Sequence, residues 1–148
     1  SLVWGTDGQL TVWGSCPYGQ SQVPATLDKV VSAGGGRYHA AALQRNGRVA
    51  AWGLGPYGET NIPAGWSNLV SLSVGFSHNV ALRADGRVVA WGKTTYGATN
   101  IPAGLSNVVA VAAGNCGEHN LALRADGTSG RRSDRHGGQS SRIQRAGG

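Results

Sequence analysis

The chain has 148 residues, 25 of them glycine, with only 14% charged residues and a formal net charge of +6. That length allows about one domain, and the regular placement of Val, Leu, Ala and Trp argues for folding and against the disorder common in glycine-rich chains. No run approaches the ~18 apolar residues of a membrane-spanning helix, and the charge is uneven, with five Arg and one Asp in residues 128–148 against a nearly neutral body.

A fixed interval organises the body. Trp13, Trp52 and Trp91 are 39 residues apart, and so are Tyr18, Tyr57 and Tyr96, and Pro24, Pro63 and Pro102. Asp7, Asn46 and Asp85, each followed by Gly, and His39 and His78 keep the same spacing. A period of roughly 20–50 residues is the signature of a solenoid, a propeller or an array. The chain starts in mid-repeat, without Met and without a charged-then-apolar targeting pattern. Trp4 stands 39 residues before Leu43, in a leucine position, and is no counterpart of Trp13.

Each copy reads as strands. In the copy that is easiest to follow, Val-Ser-Leu-Ser-Val (70–74) alternates, Gly75 breaks the run, and Asn-Val-Ala-Leu-Arg (79–83) alternates again before Asp85-Gly86 and Arg-Val-Val-Ala-Trp (87–91). Two alternating runs joined by Asp-Gly predict a β-hairpin, because these residues tolerate the positive φ of the tight turn. Asn46-Gly47 and Asp126-Gly127 stand at the same place in other copies. After Trp91-Gly92 and Tyr96-Gly97, Thr-Asn-Ile-Pro (99–102) predicts a short edge strand or strand end, since Pro102 cannot donate to a ladder. No window shows a helical period.

One such unit is marginal alone. Its strands are apolar on both faces, with Val88 and Ala90 opposite Val89 and Trp91, so each sheet needs cover on both sides. Radial stacking of sheets in a β-propeller supplies it. An open β-solenoid is the rival, with shorter usual periods. Small residues in 32–36 and 110–114 suit crowding near a propeller axis.

Val-Val-Ala-Val-Ala-Ala-Gly (108–114), a His, and Leu-Ala-Leu-Arg-Ala-Asp-Gly (121–127) resemble the repeats of the regulator of chromosome condensation family, as do Val-Val-Ala-Trp-Gly (88–92), Tyr96-Gly97 and Ile-Pro-Ala-Gly-Leu-Ser-Asn-Val-Val (101–109). The resemblance covers about residues 1–127 and implies an all-β fold of propeller blades, usually seven to a ring. About three blades are present: a partial one in 1–14, then 15–53, 54–92 and a partial 93–127. It also implies an interaction platform. Family roles include exchange on a small GTPase, ubiquitin-ligase accessory domains and a propeller-type β-lactamase inhibitor, and the Ile-Pro-Ala spacing is nearest to bacterial members. After Gly127 the pattern collapses into a basic Gly/Ser/Arg-rich tail, expected to be disordered or foreign to the repeat.

No catalytic centre, cofactor or metal site is expected. His39, His78 and His119 recur on separate blades, and metal ligands must converge within about 2 Å of one ion. A structural role is expected for them, a ring nitrogen bonded to a loop backbone. Asp7, Asp85 and Asp126 are explained by their turns, and Trp13, Trp52 and Trp91 by packing between blades. Trp66 replaces Leu27 and Leu105 as a larger core filler. Tyr18, Tyr57 and Tyr96 recur and are expected to pack rather than bind. Cys16 and Cys116 occupy unrelated positions and are either free or paired. Arg131, Arg132, Arg135, Arg142 and Arg145 could contact phosphates, but without interleaved aromatics for base stacking neither nucleic acid nor membrane is the expected partner.

Function is expected where the copies differ. One variable set follows the first strand: Arg37-Tyr38, Phe76-Ser77 and Asn115-Cys116-Gly117-Glu118, the last two residues longer. The other follows Trp-Gly: Ser15-Cys16-Pro17, Leu54-Gly55-Pro56 and Lys93-Thr94-Thr95. Each set is expected to line one mouth of the ring. Rigid repeats with variable loops present binding surfaces, and Arg and aromatic residues anchor interfaces. The expected function is a non-enzymatic protein-interaction module, with Arg37, Tyr38 and Phe76 as anchors and Asn115 and Glu118 as polar contacts. An enzyme inhibitor, an exchange factor and a glycan-binding propeller are the alternatives.

Overall fold

In a computed structural model, the described residues are 1–116 and 119–132, and they form four small antiparallel sheets. The first pairs β1 (Leu2–Trp4) with β2 (Leu10–Val12). The second holds β3 (Val30–Gly35), β4 (His39–Gln44) and β5 (Val49–Gly53), and the third β6 (Leu69–Val74), β7 (His78–Arg83) and β8 (Val88–Gly92). The fourth holds β9 (Val108–Ala113), β10 (Asn120–Arg124) and β11 (Ser129–Arg132). Its third strand therefore comes from the first residues of the basic tail segment. In the first sheet Trp4 pairs with Leu10 as Leu43 pairs with Val49 in the second, which puts Trp4 in the leucine position.

The turns follow from their residues. Asp7, Asn46, Asp85 and Asp126 each accept, at Oδ1, the backbone N–H two residues on, at 2.9–3.1 Å. The glycine after each has φ of 77–79°, which Gly adopts without steric cost. The stretch 99–102 forms no strand, contrary to the sequence expectation. Its neighbourhood bonds locally instead, Asn100 N to Gly97 O and Leu105 N to Pro102 O, after a 3-10 turn at Thr95–Gly97.

Successive sheets stack through three apolar layers. The first holds Val30, Ala40, Ala42 and Trp52. The second, larger, holds Leu43, Leu69, Leu72, Ala81 and Trp91, with Trp66 packed on it. The third, among the described residues, holds Leu82, Val108 and Ala122, with Leu105 at its margin. Trp66 meets Trp91 edge-on at 5.4 Å between ring centroids, the core-filling place expected for it. Trp52 and Trp91 are buried, but Trp13 is 52% exposed, with no sheet against it among the described residues. The innermost strands touch across the sheets: Ser32 Oγ donates to Leu72 O at 3.2 Å, and Ala113 N donates to Ser73 Oγ at 2.9 Å. A Cβ at Gly34 would stand 2.9 Å from Val74 Cβ, which accounts for the small residues there.

Polar bonds cross the same layers. His39, fully buried, donates from Nε2 to Asn79 Oδ1 at 2.9 Å, and Asn79 Nδ2 donates to Glu59 O at 3.0 Å. One blade on, His78 Nε2 meets Asn120 Oδ1 at 2.7 Å, and Asn120 Nδ2 donates to Ala98 O. The expected partner of these histidines was a loop backbone; the observed one is a side-chain amide of the following blade. Room for the rings comes from the glycine that opens each loop. A Cβ at Gly75 would lie 2.5 Å from His78 Cε1, and one at Gly36 would lie 2.6 Å from Gly75 O.

Burial holds His39 below the ordinary histidine value, against the opposing pull of the Asn79 bond and of Glu59. The unfolded chain then takes up this proton at higher pH than the folded one, so stability rises with pH. The contribution is complete above the unfolded value of about 6.5 and is lost as pH falls below it. Urea midpoints are expected to drop between about pH 7 and pH 5.5, with a shallower drop in His39→Gln. An equal drop in both would remove His39 as the source.

Candidate functional site

A three-stranded meander runs up, down and up. The loop after its first strand and the segment after its third therefore leave at one end, and the Asp-Gly turn lies at the other. The two variable sets share that first end, contrary to the expectation of one mouth for each. Backbone bonds tie them together: Leu54 N donates to Tyr38 O and Lys93 N to Ser77 O, both at 2.8 Å. Neighbouring blades are also laced here, Arg37 N to Phe76 O at 2.9 Å and Phe76 N to Gly114 O at 3.2 Å.

Three of the predicted site residues come together. The Arg37 guanidinium carbon lies 4.6 Å from the Tyr38 ring centroid and 5.2 Å from that of Phe76. Both are within the roughly 6 Å over which a cation feels a ring's quadrupole. Phe76 is 37% exposed although it is apolar. Gln20 Nε2 donates to Arg37 O at 3.2 Å, which braces the loop from the preceding linker. Asn115 is exposed in the adjoining loop. Glu118 lies outside the described residues.

Recurrence misled the reading of the tyrosines. Tyr18, Tyr57 and Tyr96 are 45–56% exposed. Tyr18 meets Tyr38 edge-on, with centroids 4.9 Å apart and planes at 89°. Lys93 Nζ stands 5.4 Å from the Tyr57 ring and 5.5 Å from the Tyr96 ring. This loop end thus carries two cation–aromatic groups, one around Arg37 and one around Lys93.

Its acids are few. Asp7, Asp28, Asp85 and Asp126 belong to the turn end. Glu59 is fully buried and accepts Tyr57 N at Oε2 at 2.8 Å. No exposed carboxylate stands at the loop end among the described residues. Cys16 and Cys116 are free thiols. Among the described residues no group of three His, Cys, Asp or Glu side chains is placed to hold a metal.

Residues 69–98, which span the third sheet, match the family profile described as the Regulator of chromosome condensation (RCC1) repeat. That one stretch matches a regulator of chromosome condensation repeat. No curated protein sequence matches the chain. Among solved structures it is similar to Prp20p of Saccharomyces cerevisiae, with a TM-score of 0.73 and 16% identity over 89% of this chain and 42% of that one. Human WBSCR16 gives 0.70 and 20% identity over 89% and 44%. The ectodomain of the Physcomitrella patens receptor kinase CR4 gives 0.70 and 22% over 87% and 36%. The chain spans less than half the length of each of these proteins, and the four sheets are blades of an RCC1-type β-propeller.

Proposed function

We propose that this chain is a non-enzymatic protein-interaction module whose loop end takes an acidic surface of a partner protein. The observation that carries the reading is the Arg37 guanidinium held against both Tyr38 and Phe76. Stacking of this kind pre-orders a flexible cation, which lowers the entropy lost on binding. Lys93 between Tyr57 and Tyr96 extends the positive surface, and Asn115 and Glu118 are assigned as polar contacts. The repeat is a common interaction module. Prp20p is described with binding to Gsp1p and histones, and yeast RCC1 (Prp20) with bound Kap60; those partners belong to those proteins.

The test is capture from a lysate by immobilised wild type, by Arg37→Glu, and by the triple variant Arg37→Ala, Tyr38→Ala, Phe76→Ala. Anchor residues each carry about 2 kcal/mol or more, so both variants are expected to lose capture more than tenfold at unchanged circular dichroism. Equal capture by wild type and Arg37→Glu would refute the site.

A further inference from the structure

The third apolar layer is missing an aromatic that its predecessors have. Trp52 and Trp91 each fill a layer and donate Nε1–H to the carbonyl of the preceding linker, to Gln20 O at 2.8 Å and to Glu59 O at 2.9 Å. In the third sheet Trp91 pairs in register with Asn79. In the fourth the residue paired with Asn120 is Arg132. The layer's second large aromatic is also absent, since Leu105 stands where the second layer has Trp66.

A cavity of about 180 Å³ lies in this layer. Its walls are the repeat counterparts of the residues around Trp91. Val80, Val88 and Ala90 stand for Ala41, Val49 and Ala51 on one side, while Ile101, Leu105 and Ala122 stand for Ile62, Trp66 and Ala81 on the other. Ala98 and Asn120 also line it, and Asn100, Arg124, Thr128 and Ser129 give part of its wall a polar character. Ala98 O accepts from Asn120 just as Glu59 O accepts from Asn79, and in the second layer that carbonyl also takes the indole N–H. An apolar cavity of about 150 Å³ is enough to take benzene.

We infer that the layer between the third and fourth blades is a binding site for a planar bicyclic aromatic with one N–H donor, an indole-bearing small molecule. The ligand's ring fills the place that Trp91 fills one blade earlier, and its N–H meets Ala98 O. This inference stands apart from the loop-end surface, and neither result bears on the other.

Indole itself is the probe, measured by equilibrium dialysis and by its effect on the thermal midpoint. Saturable binding with a raised midpoint is expected for wild type. Leu105→Trp and Arg132→Trp, which restore side chains that the second layer accommodates, are expected to lose that binding while keeping or raising the midpoint. N-methylindole, which cannot donate, is expected to bind about two- to tenfold more weakly, the worth of one ordinary hydrogen bond. Absence of saturable indole binding to wild type, or undiminished binding in both tryptophan variants, overturns the site. Equal affinity for N-methylindole overturns the role of Ala98 O.

Discussion

Trp91→Ala is expected to lower the free energy of unfolding by about 3–5 kcal/mol, the range for truncating a buried large aromatic. The residue is only 5% exposed, at the centre of the largest apolar layer. Its removal empties the space between the second and third sheets, strips Trp66 of its edge contact and takes one donor from Glu59 O. Neither neighbouring sheet can collapse onto the gap without shifting its own ladder. Trp13→Ala is the control. That residue is half exposed, and exposed substitutions usually stay within about 0.5 kcal/mol. Urea denaturation of both variants checks the comparison. Similar losses would show that burial between blades does not hold the chain together.

Asn79→Ala is expected to cost about 1–3 kcal/mol, because its amide is the acceptor of a buried histidine. Without it the His39 Nε2–H has no acceptor, while Glu59 O loses one donor but keeps the Trp91 indole N–H; a buried polar group left unmade costs about 1–3 kcal/mol. A double-mutant cycle with His39→Ala is expected to show coupling above the 0.3–0.5 kcal/mol within which independent sites add. Additivity inside that margin would mean that the His39–Asn79 bond contributes nothing net.

The local elements were legible because their causes are local. Period-2 alternation in 70–74 and 79–83, and Asp or Asn before Gly, specify a hairpin through backbone conformations that involve only a few residues. The 39-residue interval announced stacked sheets, and Trp52 and Trp91 bury as a two-faced apolar strand requires. Trp13 has the same residue type and position, yet burial depends on a sheet lying against it. The tyrosines show the same limit from the other side. A repeated residue is repeated for its place in the blade, whether that place is inside or at the surface.

Asn79 and Asn120 went unread as histidine partners because the bonds span 40 and 42 residues, and nothing in a local window marks the acceptor. Gln20, Glu59 and Ala98 occupy one repeat position with three different side chains. What the next blade uses is the backbone carbonyl at that position, which any side chain supplies. The shared end of the two loop sets follows from counting strands, since an odd number returns the chain to the end it left.

The amino-acid order by itself determined the strands, their turns, the blade unit and which loops vary, since each depends on alternation, turn chemistry and an interval along the chain. Only the tertiary structure decided which blade faces find a neighbouring sheet, which amide receives each histidine and which cation sits against which ring. Those are contacts between blades, made across distances in sequence that no local pattern records.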